Sequence, residues 1–211
     1  DAAFLPLFGN GLHYQMSSLA ELLPMALMSI VLVLAAVIYI RTFYGLHKLS
    51  RKITIVPNFV KPAIGAVLAG LVGVGLHLAC DKGDSHAMLA VLSTGYGSLQ
   101  TALEDPAKLG IGALLLIAGG KVLTTSLTIS TGGSGGVFGP SMVIGGCIGA
   151  ALGLWFQDLF GIQTHPGAFA IIGMAGFFAG AAHAPISTII MVSEMTGDYK
   201  LLLPTMWVST L

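Results

Sequence analysis

Long apolar runs, separated by short polar or glycine- and proline-bearing breaks, organise this chain. Residues 22–40 lack charge between Glu21 and Arg41; such a run is long enough to cross a hydrocarbon layer of about 30 Å. Pro24 lies near its start, where a first helical turn tolerates proline. The run over 62–80 places Gly65, Ala69 and Gly73 four apart, a spacing that lets helix backbones approach closely. The whole pattern predicts helices near 22–40, 62–80, 109–130, 137–156, 168–182, 186–195 and 201–211. Residues 81–108 read as a polar loop holding a short helix, and Gly161–Gly167 as a second loop. His183-Ala184-Pro185 interrupts the apolar tract 159–193, because proline disfavours helix at the residue before it. The runs 168–182 and 186–195 are too short to cross upright at about 1.5 Å per residue. Half-length or tilted helices of this kind belong to transporter and channel cores rather than to simple anchors.

Composition supports the same class. Only 9% of the 211 residues are charged and 55% are hydrophobic, with mean hydropathy +0.90. Soluble domains carry roughly 25% charge, so the expected fold is an all-α integral membrane protein. Net charge is zero and no extended basic tract suggests nucleic acid. Five of the nine basic residues, Arg41, Lys48, Arg51, Lys52 and Lys61, fall within 41–61. That stretch reads as a cytoplasmic loop by the positive-inside rule. Cys80 and Cys147 lie in apolar segments and read as buried thiols rather than a disulfide. The chain opens at Asp1 without a basic, signal-like start, and is read as part of a longer or processed polypeptide.

The segment Gly132-Gly133-Ser134-Gly135-Gly136-Val137-Phe138-Gly139-Pro140 sits inside 36 residues, 122–157, without a charged side chain. Such a segment will not hold a regular helix, yet irregular backbone at membrane depth survives only where it is buried or lines a cavity. One reading is an anion site. The first amides of a helix lack intrahelical acceptors and sit at the positive end of its dipole. Phe138 would then restrict the mouth. The other reading is that the glycines serve only close helix crossing. Lys121, inside the third apolar run, reads as a lysine snorkelling to the interface, with an ion path as the alternative. A third class is enzymatic: Ser134 within G-x-S-x-G, with His183 as base, fits an intramembrane serine protease. Five glycine and serine residues are weak support for it in a chain holding 29 glycines.

Residues 132–141, Gly-Gly-Ser-Gly-Gly-Val-Phe-Gly-Pro-Ser, resemble the GxFxP anion-selectivity motif of the CLC chloride channels and chloride/proton exchangers. Flanking elements follow in the family's order: Gly95-Tyr96-Gly97-Ser98-Leu99-Gln100 before the motif, and Gly173–Gly180, His183-Ala184-Pro185-Ile186 and Glu194–Tyr199 after it. The resemblance covers nearly the whole chain and is weakest before residue 60. It implies a homodimer in the cell membrane, each subunit built from two inverted repeats, with this chain as the second repeat and its N-terminal half a separate partner. It implies chloride as the transported ion, no metal or organic cofactor, and no catalytic residue. The amides of Val137 and Phe138 would contact the anion, Gly136 and Pro140 would shape the turn, and Ile186, Ile190 and Leu202 would lie on the dimer face. The family's GSGIP and G-K/R-E-G-P motifs do not occur here. Its gating glutamate, central serine and central tyrosine are therefore not assigned, and Glu194 reads as structural. Passive conduction and proton-coupled exchange both stay open.

Overall fold

The computed structural model describes residues 8, 22–53, 56–79, 89–161, 164–197 and 199–210. Eight α-helices run through them: α1 Leu22–Lys52, α2 Lys61–Ala79, α3 Tyr96–Glu104, α4 Gly110–Ser130, α5 Phe138–Phe160, α6 Pro166–Ala182, α7 Pro185–Thr196 and α8 Leu202–Thr210. Short 3₁₀ turns at Leu89–Val91, Pro106–Lys108 and Tyr199–Leu201 join some of them. Four helices are long and apolar enough to cross a membrane: Leu22–Lys52, Lys61–Leu78, Gly110–Ser130 and Phe138–Phe160. This is a multi-pass integral membrane protein.

The core is the α5–α6 pair. Every position from Pro166 to Phe177 is buried, as expected of a helix that is apolar on all sides. Its partner approaches closely because α5 is glycine-lined where they meet. A Cβ on Gly149 would collide with the carbonyl oxygen of Phe169, and one on Gly145 with that of Gly173. Helix α4 packs on α5, α2 packs on α4, and α1 lies across α6 and α4.

Helix α1 runs twelve residues past the expected end and takes Arg41 through Lys52 into the helix. The basic loop read over 41–61 is in fact the last three turns of α1, a link of eight residues, and Lys61 as the first residue of α2. Residues 41–52 contain no proline, and Arg51 and Lys52 in the last turn complement the negative end of the dipole. The first strong breaker is Pro57. Helix α6 likewise begins two residues before the expected 168. Pro166 takes the first helical position, and His165 caps the helix by accepting the Gly167 N–H on Nδ1 at 3.1 Å.

The break after α6 has the expected cause. His183 is left-handed (φ 53°) and Pro185 opens α7. At 17, 12 and 9 residues, α6, α7 and α8 are short, as is α3 at 9 residues. Cys147 is a free, buried thiol; Cys80, Tyr14, Leu211 and the start at Asp1 lie outside the described residues.

Candidate functional site

The site begins where α4 ends. Thr131 is the last αR residue of that helix, and Gly132 turns left-handed at φ 101°. Gly132 N–H donates to the Ile129 carbonyl at 3.1 Å, and Gly133 N–H donates to the Thr128 carbonyl at 3.0 Å. This is the Schellman pattern, in which the residue after the cap must tolerate positive φ. Gly133 is held to glycine separately, since a Cβ there would press on the Thr128 carbonyl at 2.6 Å. Two of the glycines thus stop α4 abruptly. They leave residues 134–136 as irregular backbone ahead of Val137, the N-cap of α5.

The first hydrogen bond of α5 runs from Ser141 N–H to the Val137 carbonyl at 3.0 Å. Pro140 has no N–H to offer. The amides of Gly136, Val137, Phe138 and Gly139 donate no hydrogen bond within the described residues. These are the orphan donors of a helix start, here gathered at the positive end of a 23-residue helix. Gly136 and Val137 are exposed, while Phe138 and Pro140 are half-buried. The Phe138 ring packs edge-on against Phe178 of α6, centroids 5.1 Å apart.

Two cavities meet this helix start from different sides. The first, about 410 Å³, is lined by Ser134, Gly136 and Pro140 together with the polar side chains of Thr124, Thr128 and Lys121 and the apolar ones of Val91, Leu92 and Ile129. The second, about 190 Å³, is lined by Val137, Phe178, Tyr39 and Ser141. The hydroxyls of Tyr39 and Ser141 are buried side by side, and neither has a well-aligned hydrogen-bond partner among the described residues. A buried polar atom without such a partner is costly, so two on one cavity wall mark a place suited to water or a polar guest.

Lys121 corrects the sequence reading. It does not reach to the interface; it is buried, 4% exposed. Its Nζ donates to the carbonyls of Ala90 (3.3 Å), Val91 (3.4 Å) and Ser93. The 3₁₀ turn Leu89–Val91 ends with carbonyls aimed at α4, and these satisfy the ammonium where it stands. The result is an amine held by backbone carbonyls on the wall of the first cavity. Thr124 adds a hydroxyl bond to the Val91 carbonyl at 3.1 Å. A lysine in an apolar run signalled its presence, but only the fold brings the 89–93 carbonyls to it.

Tyr96 is a second residue the sequence reading passed over. Its hydroxyl lies 3.2 Å from the position a Cβ on Gly139 would occupy, and its ring stacks edge-on with Phe8 at 5.1 Å. Glycine at 139 leaves room for that hydroxyl beside the α5 start. The GYG context at 95–97 gave no hint, because the contact joins α3 to α5.

The remaining candidates fall elsewhere. Ser134 is exposed on the first cavity, whereas His183 does not line that cavity and serves as the left-handed cap of α6. Glu194 is exposed on α7. Ile186 and Ile190 are 74% and 58% exposed and Leu202 is half-buried.

The family model for voltage-gated chloride channels matches residues 2–211. The chain is 43% identical over 99 residues to the H(+)/Cl(-) exchange transporter ClcA of Vibrio cholerae, covering 45% of this chain and 20% of that protein. It is 35% identical over 144 residues to ClcA of Yersinia pestis, covering 67% of this chain and 27% of that protein. The matched part thus spans about a quarter of these relatives or less. An all-helical membrane fold, an interrupted helix start and a whole-length family match agree: the chain belongs to the voltage-gated chloride channel family.

Proposed function

We propose that this chain forms one wall of a chloride pathway, as the second of two inverted repeats. The carrying observation is the cluster of unpaired amides at the start of α5, with Val137 and Phe138 as the direct donors and Gly136 and Pro140 shaping the backbone. Chloride suits such a site. It is monovalent, it accepts several N–H bonds at once, and it needs no fixed cation in contact. Neutral donors with a partial helix charge hold it weakly enough to leave, which conduction requires. Lys121 adds positive potential from the wall of the first cavity without touching the anion, because its Nζ is already held by carbonyls. The opposite wall of the site comes from a first repeat. Two such assemblies pair through the exposed apolar surface of α7 and α8, with Ile186 and Ile190 in contact. No metal or organic cofactor enters the scheme, the membrane is the cell membrane, and the end of α1 faces the cytoplasm.

The relatives are named as exchange transporters, which favours proton-coupled exchange over passive conduction. Liposomes holding the chain together with a first repeat separate the two by the chloride reversal potential under a pH gradient. Exchange predicts a potential displaced by the proton gradient in fixed proportion. A potential indifferent to pH means a passive channel, and absence of any chloride flux would refute the pathway itself. The 211 residues alone should move no chloride, since half of the anion's surroundings would be missing.

A further inference from the structure

The end of α1 carries charge for which the described residues show no carboxylate partner. From Glu21 to Asp81 the sequence holds no carboxylate between them, yet it holds Arg41, Lys48, Arg51, Lys52 and Lys61. Among the described residues Lys108 pairs with Asp105 at 3.3 Å, far from this end of α1 in sequence. A 31-residue helix is about 46 Å long, some 15 Å more than a hydrocarbon layer of about 30 Å. The surplus is the basic end, so these cations stand at the depth of lipid headgroups. The link that follows displays Phe59, 84% exposed, an aromatic side chain suited to that boundary.

The same turns of α1 have a second face. Leu46, Leu49, Ser50 and Ile53 recur at helical spacing and form one side of a groove of about 140 Å³. Ile64 and Leu68 of α2 and Leu127 of α4 complete its apolar walls, and Lys61 is the one charged residue lining it. The groove is too apolar for a soluble anion, and its cation is wasted on a neutral hydrocarbon chain. A molecule with an acyl chain and an anionic head satisfies both.

We propose that this groove is a binding site for an anionic phospholipid, with an acyl chain between α1, α2 and α4 and the phosphate at Lys61. Lys48, Arg51 and Lys52, on the last turns of α1 outside the groove, supply the surrounding positive potential that selects anionic over zwitterionic lipid. The site abuts the anion-site loop. Ser130 and Thr131 line the groove immediately before Gly132, His47 Nδ1 lies 3.3 Å from the Ser130 carbonyl, and Pro62 lies beside Gly132. Lipid in the groove therefore packs against the residues from which that loop departs. The proposal does not depend on the chloride reading, and its test measures no flux.

The intact protein in neutral detergent is titrated with dioleoylphosphatidylglycerol or dioleoylphosphatidylcholine, and bound lipids are counted by native mass spectrometry at low and high salt. Phosphatidylglycerol should be retained in excess over phosphatidylcholine, and the excess should shrink with salt. Lys61→Gln should lower it about fivefold, and Lys48→Gln/Arg51→Gln/Lys52→Gln should lower it further, on the order of a fivefold step per cation. Leu68→Trp, which fills the groove, should remove the tightly held lipid of either kind. Lys108→Gln/Lys200→Gln should change nothing. Thermal unfolding without added lipid checks that each variant is folded, and Lys61→Arg should keep the preference if Lys61→Gln does not fold. Equal retention of the two lipids overturns the proposal. So does a preference that survives the cation variants, or displacement of the lipid by millimolar inorganic phosphate.

Discussion

The α5–α6 pair and helix α2 are both apolar and helical, yet they are built by different rules. In α5–α6 the backbones touch, with glycine facing carbonyl oxygen at Gly149 and Gly145, and nearly every side chain of α6 is buried. In α2 a methyl group added to Gly70 or Gly75 would meet nothing within 4 Å, and Leu71, Val67 and Leu78 are more than 60% exposed. The pair is a protein core that happens to lie in a membrane. Helix α2 instead leaves its leucines and valines exposed on the surface of this chain. Glycine content alone does not separate them; what each glycine faces does.

Substitution at these glycines probes the contrast most strongly. Gly149→Leu should abolish the folded protein, because backbone rather than a flexible side chain occupies the space. Gly70→Ala and Gly75→Ala should leave the unfolding midpoint unchanged or slightly raised, since alanine is the better helix former by about 1 kcal/mol. Folded yield after size-exclusion chromatography and thermal unfolding read the two effects. A tolerated Gly149→Leu, or a collapse at Gly70, would reverse the assignment of core and exposed face.

A smaller effect tests the buried cation. Lys121→Met leaves the Ala90, Val91 and Ser93 carbonyls short of a donor, and should destabilise by about 1–3 kcal/mol. Lys121→Arg keeps charge and donors and should cost less. A lysine that merely snorkelled would tolerate both equally. Thermal or denaturant unfolding in detergent distinguishes these outcomes.

How much of this was open to sequence reading differs in the same way between regions. The α6–α7 break was legible because proline and its predecessor restrict backbone locally. The end of α4 was legible in part: four glycines forbid regular helix, though not which two form the Schellman turn. The length of α1 was misread. Its basic side chains read as a loop, although a helix C-terminus welcomes them. The contacts of Lys121 and Tyr96 were not legible because their partners come from elements about thirty and forty residues away, and no local pattern encodes such a meeting. The two cavities at the α5 start are likewise properties of packing alone.

Ser134→Ala should leave chloride flux largely unchanged; abolished proteolysis in its place would revive the protease reading. The smallest effect concerns His165, in the link before α6. Partial desolvation of this otherwise exposed residue holds its pKa below the ordinary value, opposed by the charge of Asp105, and its cap on Gly167 requires the neutral ring. The unfolded chain therefore takes up the proton first as pH falls. Stability should be complete above about pH 6.5 and decline as pH drops toward the lower folded value. His165→Asn keeps a capping oxygen and should flatten that dependence between about pH 5 and 7. An unchanged slope would remove His165 from the account.

The central claim rests on backbone, so backbone should be altered. Replacing the Phe138 residue by its α-hydroxy acid converts one amide to an ester and deletes a single N–H while keeping the ring against Phe178. With this chain and a first repeat assembled together, chloride affinity measured by calorimetry should fall at least about tenfold, the scale of one hydrogen bond to a charged group, about 1.5–3 kcal/mol. Unchanged chloride affinity in a folded ester variant would contradict the claim that the α5 start holds the anion.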